Sequence, residues 1–494
     1  MSAHVVIWNT GSIIEEDGFF HLYRTLGAYK IAHVVRKSGY TAQVIDHFVQ
    51  MSEEDLYRCT RRFVDQHTVV LGISTTFAFG NDTARLTESA ANTINKLLEE
   101  FPNLKIVFGG YNVNKLKNER PLKTKNIYAV IHYGEDIFVE LIKHFQGLGP
   151  SPIGTMEFYQ DQRMTIFSKP LEEKYHIELD DFQFIQQDCI MPNETLPIEI
   201  SRGCIFKCKF CNHLMLGRAK LDYLRDFELV KADMLNNYHN WGTTNYYIIC
   251  DTFNDTEIKM QAWKKMLDSL PFKIKYTAYL RADLLDRYPD VPHLLRETGL
   301  LAGFHGIESL GPGSAVIGKG WSQKRAREYI PKLYHDIWKG QVYQTLSFIA
   351  GLPGDTHATL NDTADWFKSN DLYHMIMHSL GLRNNSMDRN PSEFDRNAAK
   401  YGYRFPNEDA SIEWENDYWS HAQVRHFLKN DFNKQIGRHS AKYSSWSILQ
   451  LMQYGVDASK FEKSNTWTPA MNRGIFRLFA QEYLKEYVEK LMAL

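Results

Sequence analysis

Arg202-Gly203-Cys204-Ile205-Phe206-Lys207-Cys208-Lys209-Phe210-Cys211 crowds three of the chain's six cysteines into eight residues. The spacing is C-x3-C-x2-C, and Gly203 gives the loop backbone latitude. Soft thiolates select zinc or iron–sulfur. Structural zinc closes four ligands, commonly as two separated pairs, and here the second pair is missing. His213 stands only two residues past Cys211, which makes a closed tetrahedron awkward. A four-cysteine ferredoxin run is absent as well. Three ligands without a fourth point to a metal centre with one open position, the arrangement that catalysis needs. An iron–sulfur cluster is favoured, with zinc and unligated core cysteines as the alternatives.

The loop follows a short apolar strand, Ile198–Ser201, that opens an alternating series. Further strands are expected at Tyr246–Cys250, Ile274–Tyr279, Ala302–Ile307, Gln344–Ala350 and Met375–Leu380. Helices are expected near Phe227–Tyr238, Ile258–Leu267, Val291–Glu297, Gln323–Ile337 and Ala358–Lys368. Six βα repeats over residues 197–389 predict a partial (β/α)6 barrel, whose chemistry gathers on the loops after the strands. Residues 1–148 alternate too. Strands at His4–Trp8, Ala42–Ile45, Val69–Ser74, Lys105–Phe108 and Tyr128–His132 are separated by helices at Phe19–Arg36, Glu53–Gln66, Thr83–Glu99 and from Glu135 to Phe145. Parallel pairing and right-handed crossovers then imply a doubly wound α/β sheet, with ligands bound beyond its strand carboxyl ends. Residues 149–196 show no period and read as a linker. Residues 390–494, dense in aromatics such as Trp414, Tyr418 and Trp419, read as a helical C-terminal cap ending in an amphipathic helix, Ile475–Met492. Those aromatics suit a substrate pocket and internal packing equally well.

Length and charge bound the function. At about 150 residues per domain, 494 residues suggest about three domains. Acidic residues number 59 against 57 Lys plus Arg, which disfavours sequence-independent binding to nucleic acid or anionic membrane. The longest apolar stretches, such as Val69–Ile73, are strand-length and far short of a bilayer span. Met1–Ile7 shows no basic-then-apolar leader, so a cytoplasmic location is expected. Cys59, Cys189 and Cys250 are expected in the core and His67 on the surface. The run Lys115, Lys117, Arg120, Lys123 and Lys125 is expected as a solvated face.

The cysteine loop closely resembles the cluster motif of radical S-adenosylmethionine (SAM) enzymes. The resemblance spans about residues 195–385. It implies a [4Fe-4S] cluster with three irons on Cys204, Cys208 and Cys211 and the fourth on the methionine group of SAM. It places Phe210 near the adenine. Asp251 in Asp251-Thr252-Phe253-Asn254-Asp255 is similar to the polar group such enzymes set near SAM. Gly306-Ile307-Glu308-Ser309 is similar to their G-x-E-S segment, which implies Glu308 at the ribose or amino group. Gly351-Leu352-Pro353-Gly354 is similar to their G-L-P-G turn, which brings Gly351 and Pro353 to the adenine. Arg281, just past the third strand, is a candidate for neutralising a carboxylate or phosphate.

The first 148 residues resemble the cobalamin-binding domains attached to such enzymes. Ser38–Asp46 looks like their second-strand entry, and Leu71-Gly72-Ile73-Ser74-Thr75-Thr76 like their third strand and polar turn. Val107-Phe108-Gly109-Gly110-Tyr111 and Tyr133-Gly134-Glu135-Asp136 look like their paired-glycine and Gly-Glu turns. The resemblance implies a cobalamin cradle of Thr10, Gly11, Ser74, Thr75, Gly109, Gly110, Tyr111, Gly134 and Glu135. The D-x-H-x-x-G motif that supplies a lower axial histidine is absent; Asp65-Gln66-His67 begins it but ends at Val70.

The implied activity is that of a cobalamin-dependent radical SAM enzyme, most simply a methyltransferase acting on an unactivated carbon. One SAM would give a 5′-deoxyadenosyl radical that takes substrate hydrogen, methylcobalamin would deliver the methyl group, and a second SAM would remethylate the cobalt. That requires the strand carboxyl ends of the two domains to oppose each other. It also implies an electron donor such as flavodoxin or ferredoxin. A radical cyclase, mutase or oxidase without methyl transfer, and a non-catalytic Fe–S or cobalamin sensor, are the other readings. The substrate is left open among peptide, lipid and small metabolite.

Overall fold

The computed structural model describes residues 2–11, 22–76, 87–110, 113, 122–131, 133–159, 162–168, 181–213, 216–218, 223–382, 391–406, 413–436, 445–454 and 469–494. The first unit runs β1 (Val5–Trp8), α1 (Leu26–Lys37), β2 (Ala42–Ile45), α2 (Glu53–Arg61), β3 (Val70–Ser74), α3 (Glu88–Glu100), β4 (Lys105–Gly109), β5 (Asn126–Ile131) and α4 (Glu135–Phe145). Its strands pair in parallel in the order β2-β1-β3-β4-β5. Chain direction across the sheet reverses between β1 and β3, where such folds bind ligands. Every residue of β1 is buried, as strands covered on both faces must be. Val5, Ile7, Val44 and Val70 face a core with α1 and α4, while Val6, Trp8, Ile45 and Leu71 face a second core with α2 and α3.

Two expectations fail here. Helix α1 begins at Leu26 instead of Phe19, a residue that lies outside the described set. Thr25 is extended, and the wholly buried Arg24 before it reaches Glu194, 2.6 Å from its Nε, and the carbonyls of Asp188 and Cys189. That ion pair holds the chain off a helical path. The segment read as a linker contributes a hairpin, β6 (Gly154–Tyr159) and β7 (Gln162–Ser168), that extends the first sheet through parallel β5–β7 pairing. Its strand residues carry no clean apolar alternation, and Ile153 just before β6 and Met156 within it are exposed, so no period was there to read. Phe182, Phe184 and Ile190 of the same segment are core residues.

The second sheet has six parallel strands in chain order: β8 (Leu196–Ile198), β9 (Asn245–Ile248), β10 (Lys275–Leu280), β11 (Leu300–Glu308), β12 (Tyr343–Ala350) and β13 (His374–Ser379). Helices α5 (Phe227–Trp241), α6 (Glu257–Asp268), α7 (Ala282–Arg287), α8 (Val291–Glu297), α9 (Gln323–Lys332) and α10 (His357–Ser369) lie between them. Leu346, Phe348 and Met375 share a core with Ile330 of α9 and Ala364 of α10. Strand alternation therefore turns Thr345, Ser347, Ile349, Ile376 and His378 to the opposite, inner face.

The C-terminal residues do not form one cap. Helices α11 (Glu393–Arg396), α12 (His421–Phe427) and α13 (Asn433–Ile436) bury Phe394, Phe427 and Ile436 with Trp414 and Trp419 against the β12 side of the second sheet. Helix α14 (Ser445–Gln453) packs Ile448 and Leu451 on Ala302, Tyr343 and Tyr373, at the amino-terminal ends of the strands. Helix α15 (Pro469–Ala493) returns to the first unit. Its apolar stripe of Ala480, Tyr483, Tyr487 and Leu491 enters the core around α2 and α3, and Tyr487 Oη accepts the Asp46 N–H at 2.8 Å. Cys59, Cys189 and Cys250 are buried and His67 is exposed, as expected. Lys123 of the basic run is exposed and pairs with Glu99; Lys115, Lys117 and Arg120 lie outside the described residues. Among the described residues, no helix is long and apolar enough to cross a membrane.

Candidate functional site

Strand β8 stops at Ile198, and the chain runs through Glu199–Ser201 into the cysteine loop at the sheet's carboxyl end. Gly203 has φ +95, a left-handed conformation natural to glycine. Its N–H donates to Asp251 Oδ2 at 2.9 Å, while Asp251 Oδ1 lies 2.9 Å from His213 Nε2. Asp251 thus braces both ends of the loop. Burial opposes charge on His213, but this carboxylate outweighs it and raises the imidazole pKa. The residue weighed as a fourth ligand is therefore engaged elsewhere.

Cys204 Sγ lies 3.4 Å from Thr252 Oγ1, and Arg281 Nη1 donates toward Cys208 Sγ at 3.5 Å. Burial raises the Cys204 thiol pKa and pushes that of Cys211 up to about 11, and Cys208 acts electrostatically on both. Among the described residues, no three His, Cys, Asp or Glu side chains are grouped to hold one metal ion. The donor set is three neighbouring soft thiols on one loop beside a guanidinium. That suits a cluster in which each thiolate takes its own iron, with Arg281 offsetting its negative charge. Arg281 also forks onto Asp283 and lies 3.8 Å from the Phe206 ring centroid, so its orientation is fixed from two sides. Phe210 is half-buried against the core beneath β12.

Glu308 sits at a register shift between β11 and β12 and has φ +70, rare for a residue with a side chain. That backbone turns its carboxylate over Gly306, where a Cβ would stand 2.5 Å from Glu308 Oε1 and 2.9 Å from Lys319 Nζ. Lys319 Nζ donates to Glu308 Oε1 at 2.8 Å and also to the Gly306 carbonyl. At the next strand end, Gly351 has φ +90 and faces Trp414, which a Cβ would strike at 2.5 Å. The Gly351 and Leu352 N–H groups donate to Asp355 Oδ2, and Tyr403 Oη donates to the Gly351 carbonyl at 2.7 Å. Burial pushes the Asp355 carboxyl up to about 7. Pro353 follows in the same turn. Trp414, buried and donating to the Leu380 carbonyl, packs this turn from behind, which decides its role as packing.

In the first unit, Thr10, Gly11, Ser74, Thr75, Gly109 and Gly110 gather at the carboxyl ends of β1, β3 and β4. Thr75 donates to the Gly109 carbonyl from both its N–H and its hydroxyl. A Cβ on Gly110, φ +103, would stand 2.5 Å from Thr76 Oγ1. This rim of small residues lets a large ligand approach the backbone, so it fits a corrinoid at the switch point. Tyr111 lies outside the described residues. Gly134 caps the amino end of α4. Glu135 faces across the two units: its Oε1 accepts from Arg202 Nη1 at 3.1 Å. Arg202 also donates to Glu199 at 2.6 Å, and Lys30 of α1 donates to Glu199's other oxygen. The loop after β5 thereby meets the loop after β8, immediately before Cys204.

Sequence reasoning missed Lys319, Asp355, Tyr403 and the Lys30–Glu199–Arg202–Glu135 ladder. Lys319 had one signal, a lysine between Gly318 and Gly320, which both take positive φ.

Known proteins supply the remaining comparison. No protein-family profile matches the chain, and no curated protein matches its sequence. Solved structures do match in fold. The radical SAM methyltransferase TsrM from Kitasatospora setae, solved with cobalamin and a [4Fe-4S] cluster bound, aligns with a TM-score of 0.57 over 83% of this chain and 78% of its own, at 13% identity. A second TsrM structure, with tryptophan substrate and a SAM analogue, aligns at 0.58 with 13% identity over 83% and 80% of the two chains. The cobalamin-dependent SAM radical enzyme OxsB, with aqua-cobalamin bound, aligns at 0.54 with 15% identity over 80% of this chain and 56% of its own. The chain has the α/β fold of cobalamin-dependent radical SAM enzymes.

Proposed function

We propose that the chain is a cobalamin-dependent radical SAM enzyme that transfers a methyl group to a carbon of its substrate. The observation that carries this reading is the meeting of two strand ends. A three-thiol loop at the carboxyl end of β8 is joined through Arg202 and Glu135 to the ligand edge of a doubly wound sheet whose fold is that of cobalamin-bearing neighbours. Cys204, Cys208 and Cys211 would hold a [4Fe-4S] cluster, and together with SAM and cobalamin such a cluster supplies reductive sulfonium cleavage and a transferable methyl group.

The protein's part is positional. Asp251 fixes the loop backbone through Gly203, and Arg281 faces the thiols with a permanent positive charge. Glu308, held by Lys319, offers a carboxylate for the amino or ribose groups of SAM. The Gly351–Pro353 turn offers a flat backbone edge for the adenine, with Phe210 beside it. The small residues at the ends of β1, β3 and β4 would admit the corrinoid, and an electron donor of the flavodoxin or ferredoxin kind would serve the cluster. Packing α14 across the amino-terminal ends of the strands closes the inner face from below, which keeps water from the reacting atoms.

The test is anaerobic reconstitution with iron, sulfide and cobalamin, followed by assay with methyl-labelled SAM. Iron–sulfur and corrinoid absorption, 5′-deoxyadenosine and label in the product are expected. A Cys204→Ala, Cys208→Ala, Cys211→Ala variant that keeps its iron and turnover refutes the reading. Formation of 5′-deoxyadenosine without transfer of label moves the assignment to a radical enzyme that omits methylation.

A further inference from the structure

We propose that Lys259, on the core face of α6, is a positioning residue for the cysteine loop, and that its buried charge sets how readily a cluster held there takes an electron. This rests on the functional reading above and extends it to a residue that reaches the thiols only through others.

Lys259 is wholly buried, on the same face of α6 as Met260, Trp263 and Met266. A buried ammonium is costly unless it is paired and hydrogen-bonded. Its Nζ donates to Ser201 Oγ at 3.2 Å and to the Thr252 carbonyl at 3.1 Å, and it lies 3.4 Å from Asp255 Oδ1. The ring centroids of Tyr223 and Phe253 stand 5.7 and 5.9 Å from it.

Those partners frame the loop on both sides. Ser201 bridges to Leu224, and the Arg202 N–H donates to the Tyr223 carbonyl at 3.2 Å, so the chain entering the loop pairs with the chain leaving it. Tyr223 Oη donates to Asp255 Oδ2 at 2.6 Å. Thr252, whose carbonyl Lys259 holds, places its Oγ1 3.4 Å from Cys204 Sγ. One side chain therefore fastens the segment before Cys204, the segment after the loop and the residue against the first thiol.

Position gives the charge its effect. Reducing a [4Fe-4S] cluster adds one electron, taken from the donor, so a nearby cation favours the reduced form and a nearby anion opposes it. At an effective dielectric of about 20, a unit charge about 10 Å away, the span of two contacts and one threonine, shifts such an equilibrium roughly tenfold. Lys259 and Asp255 act on it with opposite signs. As an ion pair they add little stability over packed apolar side chains, so stability does not account for burying them.

Wild type, Lys259→Met, Asp255→Asn and the double variant are reconstituted anaerobically with iron and sulfide, without SAM. Iron content is measured first. The midpoint potential then follows from titration with dithionite, read by the paramagnetic resonance of the reduced cluster. Lys259→Met should disfavour reduction about tenfold, a fall of about 59 mV for a one-electron couple. Asp255→Asn keeps an acceptor oxygen for Tyr223 Oη and should raise the potential by a similar amount. The double variant should return to within about threefold of the wild type. A merely structural contact would move both single variants the same way or neither, so shifts of equal sign, or no shift, overturn the proposal. Should Lys259→Met hold no iron, with Asp255 left buried and uncompensated, the other two variants decide. An upward shift in Asp255→Asn that the double variant reverses supports the proposal, and any other pattern overturns it. In the metal-free protein, Lys259→Met should speed iodoacetamide labelling of Cys204 severalfold; an unchanged rate overturns the positioning role. A wild type that assembles no cluster sinks the functional reading and this inference with it. A wild type that assembles one, without opposite shifts in the variants, sinks this inference alone.

Discussion

Asp355 ties the turn after β12 to a titration that stability measurements can read. Its carboxyl is buried, and its Oδ2 takes both the Gly351 and Leu352 N–H groups, at 3.1 and 2.9 Å. Burial pushes its pKa from 3.8 to about 7. A carboxyl that binds its proton more tightly in the folded state contributes stability that is complete below about pH 4 and is lost as pH rises through about 7. The shift of 3.2 units between those two values corresponds to about 4 kcal/mol at about 1.4 kcal/mol per unit. Roughly 2.5 kcal/mol of it disappears between pH 5 and pH 8. Asp355→Asn is neutral throughout and keeps an acceptor oxygen for the two N–H groups. The urea-unfolding free energy of the variant, minus that of the wild type, should therefore rise by about 2.5 kcal/mol from pH 5 to pH 8. Tryptophan emission suits the assay, because Trp414 packs on Gly351 and the Trp419 indole donates to the Asp355 carbonyl. Parallel stability–pH curves for the two proteins would refute the argument.

Arg202→Met removes the cation shared by Glu199 and Glu135 and should lower unfolding stability by about 2 kcal/mol. That is less than a fully orphaned buried charge would cost, because Lys30 still holds Glu199. A double-mutant cycle with Glu135→Gln should show coupling of at least about 0.5 kcal/mol; additivity would break the cross-unit ladder. Tyr487→Phe deprives the buried Asp46 N–H of its acceptor and should cost about 1–2 kcal/mol, with faster amide exchange along α15. Gly306→Ala drives a methyl group to within 2.5 Å of Glu308 Oε1 and should weaken SAM binding about tenfold by displacing the Glu308–Lys319 pair, measured by equilibrium dialysis.

The elements that sequence periodicity locates are those whose burial repeats along the chain. Strands β2 and β3 and helix α8 fall within a residue of their expected bounds, because the strands are short runs buried almost throughout and α8 carries Val291, Leu294 and Leu295 at helical spacing. The cysteine loop, Glu308 and Gly351 are legible for another reason: their neighbours form short local patterns at strand ends. What stays hidden depends on distance along the chain. Arg24 and Glu194 are 170 residues apart, and Arg202 and Glu135 are 67 apart, so no window contains either pair. The hairpin β6–β7 escapes for the opposite reason, since it buries too little to leave a pattern.

Glu308 shows how the rim of the second sheet is assembled. A left-handed backbone at a residue with a side chain costs about 1–2 kcal/mol and persists only where its surroundings over-determine it. Here they do. The register shift beside Ile307 leaves one extra residue, Gly306 supplies the space that the turned carboxylate needs, and Lys319 meets it with a charge. Lys319 can do so because Gly318 and Gly320 both adopt positive φ and carry the lysine inward. Strand alternation sets Glu308 on the face of Phe304 and Gly306, and removing its carboxylate would leave the buried Lys319 ammonium without that partner. The left-handed backbone therefore holds an anion over Gly306 at the rim of the sheet. The residues that make the backbone unusual thereby give the rim a paired charge, suited to the amino and ribose groups of SAM.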